Sequence, residues 1–145
     1  MYQFKLEPLL NHRRYQEEIL QKELAAVKKR LQSEQAQLRV LKEKQRQNLQ
    51  LLHTRQKQGR PASELKLFVD FIDHLSAEMK AQREKIMQTQ RQFDTAHQAL
   101  LATMKKRKTL EKLKEKDRRA YEQAQMKKER HLLDDVAGHQ FILKS

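Results

Sequence analysis

Between Pro8 and Gly59 no glycine or proline interrupts the chain, and none does so again between Pro61 and Gly138. These four are all the Gly and Pro among 145 residues, so the sequence favours two long helices and one break. Pro8 suits a first helical turn, where its missing N–H costs nothing. In Gln58-Gly59-Arg60-Pro61-Ala62-Ser63, Gly suits a left-handed C-cap and Pro stops the helix from resuming in line.

Both halves carry apolar residues at the 3-4 spacing of a coiled-coil seam. The first series runs Leu6, Leu10, Arg13, Glu17, Leu20, Leu24, Val27, Leu31, Glu34, Leu38, Leu41, Gln45, Asn48, Leu52. The second runs Leu65, Phe68, Ile72, Leu75, Met79, Gln82, Ile86, Thr89, Phe93, Ala96, Leu100, and then less strictly Met104, Leu110, Leu113, Ala120, Tyr121, Ala124. Folding one seam onto the other buries both, which predicts an all-α fold: a long antiparallel two-helix coiled-coil hairpin with an overhanging C-terminal helix end. The expected layout is one domain over 1–145, with helix 1 at about 8–57, a turn at about 58–62, helix 2 at about 63–136 and a frayed tail at 137–145. Reflection about Gly59 sets Leu20 near residue 99 and Leu6 near residue 113. Two copies could pair through the same seams, but the short break favours closure within one chain, hence a monomer.

Composition narrows the function. With 35 % charged residues, 6 % aromatics and no Trp, the chain lacks material for a pocketed globular core, which argues against an enzyme. No phosphate loop, nucleophile elbow or paired catalytic carboxylates occur. Without Cys there is no thiolate site, and His131 with Asp135, at metal-pair spacing, has no third ligand of suitable spacing before Gly138, so no metal or cofactor is expected. The N-terminus has no signal-like apolar stretch, and no run reaches the ~18 apolar residues of a membrane span. The expected location is cytoplasmic.

Charge and surplus apolar residues divide the chain. Net charge is +13, made up of +7 in residues 1–59, zero in 60–103 and +6 in 104–145. The segment from Lys105 to Arg119 holds nine basic and three acidic residues. Near the break, Leu67, Val69 and Phe71 flank Phe68 and Ile72, and Val40 and Leu51 lie beside the first seam. A two-helix coil covers only its a and d positions, so these residues suggest a partner-binding patch in the loop half, where segment 60–103 carries no net charge. A wider local core or self-association would also account for them.

The terminal segments resemble a known family. Phe4-Lys5-Leu6-Glu7-Pro8-Leu9-Leu10-Asn11-His12-Arg13-Arg14 followed by Glu17-Glu18, and Arg107-Lys108-Thr109-Leu110-Glu111-Lys112-Leu113-Lys114-Glu115-Lys116 followed by Tyr121, resemble the opening and closing signatures of FliJ-type flagellar export proteins. The resemblance implies an antiparallel coiled coil like a rotary-ATPase stalk, acting without catalysis in the type III export apparatus. The implied partners are a hexameric export ATPase, the cytoplasmic domain of the export gate, and export chaperones. The implied location is the cytoplasmic side of the membrane at the flagellar base, with the membrane reached only through partners. By position in the family, Gln37, Leu41, Phe71 and Leu75 are expected to meet the gate or chaperones. The ATPase ring is expected to meet the terminal half, through Arg13, Arg14, Lys105, Lys106, Arg107, Lys108, Lys112 and Lys116, whose charge could meet acidic pore loops. Lys44, Asn48, Glu78 and Gln82 depart from the family pattern. A basic coiled coil that binds nucleic acid, or an unrelated scaffold, remains the alternative; the basic run has no aromatic interleaving and no basic-region motif.

Overall fold

The computed structural model describes residues 1–144. Two helices account for nearly all of them: α1 (Glu7–Lys57) and α2 (Ala62–Lys144). They pack antiparallel as an all-α hairpin, as the seams predict.

The turn follows from its residues. The Gly59 N–H donates to Gln56 O at 3.1 Å and the Arg60 N–H to Arg55 O at 3.4 Å, the paired bonds of a Schellman cap. Gly59 sits at φ 69°, where a Cβ is disfavoured even in open space. Pro61 O then accepts from the Glu64 and Leu65 N–H groups at 3.1 and 3.2 Å, opening α2, while Arg55 and Glu64 pair across the turn at 3.7 Å. Nothing lies within 4 Å of a Cβ built at Gly59, so Gly59→Ala isolates the conformational cost. It should lower stability by about 1 kcal/mol, measured as a urea-midpoint shift with unchanged slope.

Contacts divide the chain into a loop unit, Leu20–Ala99, and a terminal unit, Met1–Ile19 with Leu100–Ser145. In the loop unit every residue of the two 3-4 series is buried or half-buried, with Leu31, Leu75 and Met79 deepest among the apolar ones. Polar seam positions are bonded rather than orphaned. Thr89 Oγ1 donates to both oxygens of the buried Glu34 carboxylate at 2.7 and 3.0 Å. Gln82 Nε2 donates to Glu34 O at 2.8 Å, and Gln45 Nε2 donates to Ser76 Oγ at 2.6 Å. Such layers tolerate few other registers, because a slip would leave buried polar groups unpaired.

The terminal unit is anchored by Phe4, Leu10 and Leu100. The chain before α1 is tied down too. Tyr2 packs on Tyr121 with ring centroids 5.4 Å apart, and its hydroxyl donates to Asp117 Oδ2 at 3.0 Å. Desolvation, then the Asp117 carboxylate, raises the Tyr2 pKa.

Three expectations need correction. The seam past Leu100 does not follow Leu113, Ala120 and Ala124, which are exposed. It keeps the strict spacing through Arg107, Glu111, Lys114, Arg118 and Tyr121, all half-buried. Long cations can occupy such a stripe because their stems pack while their heads pair with carboxylates. Second, α2 does not end near residue 136 but continues through Lys144. A lone Gly weakens a helix by about 1 kcal/mol yet keeps its N–H, so Gly138 is carried along. Ser145, part of the expected frayed tail, lies outside the described residues. Third, simple reflection about Gly59 fits Gln37 with Gln82 but not Glu34 with Thr89 or Glu17 with Arg107, where the partner lies about a turn further along α2. Cβ atoms tilt toward their own helix N-terminus, so in an antiparallel pair facing side chains meet beyond the reflected position.

Candidate partner-binding surfaces

In the loop unit, Gln37 and Leu41 line an open groove with Ser33, Ala36, Val40 and Gln82. The Gln37 side chain accepts from Gln82 Nε2 at 3.2 Å, which ties the groove's two walls together. Phe71 does not line this groove. It lies beside Ile72, whose carbonyl accepts from Gln45 Nε2 at 3.4 Å, and is 45 % exposed. Leu67, Val69 and Leu51 are exposed as well, so the hairpin leaves the apolar surplus uncovered. Leu75 is different: at 3 % exposure it belongs to the core and cannot itself present a contact. It supports the helix surface from beneath.

In the terminal unit, Arg13, Lys105 and Lys106 surround a groove completed by Leu9, Thr109 and Leu110. Apolar residues form part of its lining and three cations stand at its sides, a combination suited to a partner with acidic and apolar groups side by side. Lys108, Lys112 and Lys116 are exposed. Arg14 pairs with Glu111 at 3.6 Å and remains partly exposed.

Arg107 is a further departure from the expected ring-facing set. Its guanidinium is bonded to Glu17 and donates to Glu111 at 2.9 Å, and its side chain is largely buried. These bonds, Glu17 first, raise its pKa above the ordinary guanidinium value. Arg107 therefore joins the two helices and leaves outward contact to its lysine neighbours. Lys114 does similar work, pairing with Glu7 at 2.8 Å. Arg118 holds Glu115 at 2.7 Å, and this bond, with Arg119 adding to it, depresses the Glu115 pKa below 4.5.

Sequence reasoning missed these cross-helix pairs, although one signal was present. Glu17 already stood in the first seam, and an acid in a seam calls for a cation opposite. Among the described residues no group of three or more His, Cys, Asp or Glu is placed to hold a metal, and no helix is long and apolar enough to cross a membrane.

A family model described as "Flagellar FliJ protein" matches residues 2–145. The chain belongs to the FliJ family. It is therefore a component of the flagellar type III export apparatus, in a family that acts without catalysis. No curated protein and no solved structure matches the chain. The FliJ match runs through both units, so both surfaces fall within the family's extent.

Proposed function

We propose that this FliJ protein couples a hexameric export ATPase to the cytoplasmic domain of the export gate and escorts export chaperones, sitting at the cytoplasmic face of the membrane at the flagellar base. The supporting observation is the separation of two unlike surfaces into two units. The loop unit carries a groove at Gln37 and Leu41 and the exposed Phe71, the latter on an arm with no net charge. The terminal unit carries Arg13, Lys105, Lys106, Lys108, Lys112 and Lys116, none of which is in an ion pair among the described residues.

Apolar side chains left in water gain free energy by burial in a partner. The gate and chaperones are accordingly assigned to Gln37, Leu41 and Phe71, with Leu75 holding the surface in place. Uncompensated cations speed encounter with an acidic partner, so Arg13 and the exposed lysines are assigned to the ATPase ring, with Arg14, paired with Glu111 yet still exposed, beside them and Arg107 keeping α2 in register. One chain then presents both surfaces without a second copy.

Phe71→Ala should weaken binding to the gate's cytoplasmic domain by about tenfold, a typical loss for an aromatic contact near 1.4 kcal/mol, with helix content unchanged by circular dichroism. Undiminished gate binding would refute the loop-unit assignment.

A further inference from the structure

The basic excess of α2 is arranged in a row. Lys105, Lys108, Lys112, Lys116, Arg119, Lys127 and Arg130 follow one another at intervals of three or four residues, with Gln123 filling the one uncharged place. All eight side chains are exposed. The spacing repeats every eleven residues, Lys105 to Lys116 to Lys127 and Lys108 to Arg119 to Arg130, which drifts by only about 20° per repeat on a straight α-helix. The row thus stays within about 100° of arc over about 38 Å. It lies on the side of α2 away from Arg107, Glu111, Lys114 and Arg118, which turn toward α1.

Along α2 in the terminal unit, the cations of the seam and those of the row differ. Those at the seam are balanced: Arg107 by Glu17 and Glu111, Lys114 by Glu7, Arg118 by Glu115 and Glu122. In the row only Arg119 has a carboxylate, Glu115 at 3.2 Å. The other six make no ion pair among the described residues. Beyond Arg130 the same arc passes Asp134, its one acid, and then becomes apolar at Ala137 and Phe141, with Met126 at its edge. Phe141 is 75 % exposed.

The geometry points to direct docking of this face of α2 on an anionic lipid bilayer. A row held within one arc of the helix lets its cations meet one surface together, and the negative surface of a cytoplasmic leaflet supplies it. An apolar end in line with the row can enter the boundary between headgroups and acyl chains, the second signal that stable peripheral binding needs. A nucleic-acid backbone would use the cations and leave Met126, Ala137 and Phe141 without a role. This contact adds to the export function a membrane attachment made by the chain itself. It also overlaps the ring-facing set at Lys105, Lys108, Lys112 and Lys116, so lipid and ring should exclude each other.

The test is co-sedimentation of the full chain with phosphatidylcholine vesicles, with or without about 30 % phosphatidylglycerol, at physiological salt. Binding is expected to the anionic vesicles and not to the neutral ones. Lys127→Gln with Arg130→Gln should weaken it by about thirtyfold, and Phe141→Ser should weaken it at unchanged net charge and salt dependence. None of these three residues is assigned to the ring. Stimulation of ATP hydrolysis measured without lipid should therefore survive in both variants, which separates a failure of docking from a failure of the ATPase contact. Absence of wild-type binding to anionic vesicles, equal binding by the Gln variant, or displacement from vesicles by random duplex DNA at equal phosphate would overturn the proposal.

Discussion

Arg107→Ala should destabilise the protein by about 2 kcal/mol, somewhat less than the roughly 3–5 kcal/mol for breaking a fully buried pair, because both side chains keep some contact with water. The Arg107 guanidinium serves Glu17 across the helix pair and Glu111 along its own helix. Its removal leaves the Glu17 carboxylate largely buried without its cation. Denaturation in urea measures the loss, and the cycle completed with Glu17→Ala identifies its origin. If the pair acts as a unit, the double variant should lose clearly less than the sum of the two single ones. Strict additivity would show that Arg107 contributes only through the packing of its stem.

Reversing Lys105, Lys106 and Lys108 to Glu should leave that network intact while changing the terminal unit's surface by six charge units. Stimulation of the export ATPase should fall by at least about tenfold, since like-charge apposition costs encounter rate and affinity together. Restoring one charge should recover part of the loss, and the wild-type effect should weaken as salt rises. Arg107 is left out of this variant because its reversal would disturb the Glu17 pair and confuse loss of contact with loss of register. Stimulation that persists undiminished would remove the lysine cluster from the ring contact.

Most of the hairpin is legible in the sequence because a seam of period 3.5 and a single break leave few other ways to bury the apolar residues. From Leu10 to Leu52 and from Leu65 to Leu100 every seam position is at least half-buried. Legibility fails where burial is no longer signalled by apolarity. Past Leu100 the apolar residues Leu113, Ala120 and Ala124 lie off the stripe, and the positions that face α1 are Arg107, Glu111, Lys114 and Arg118. Extending the strict spacing from Leu100 would have reached them. The shift of Thr89 opposite Glu34 is a matter of side-chain direction, which a reflection of residue numbers does not contain.

The candidate surfaces are legible to a different degree. Phe71, Val40 and Leu51 stand out because no seam position accounts for them, and the hairpin leaves them exposed. Leu75 and Arg107, placed by family position or by charge, lie inward. A helix pattern shows which face a residue occupies only when the register is known, and charge alone does not tell a paired cation from a free one. The cation row of α2 needed both its eleven-residue spacing and the inventory of ion pairs to emerge.

The central claim is that the two units meet different partners. It is tested most directly by measuring, for Phe71→Ala and for the Lys105, Lys106 and Lys108 reversal side by side, both gate binding and ATPase stimulation. The expected result is crossed: the first variant loses the gate and keeps the ATPase, and the second loses the ATPase and keeps the gate. Parallel loss of both activities in both variants, with helix content preserved, would contradict it.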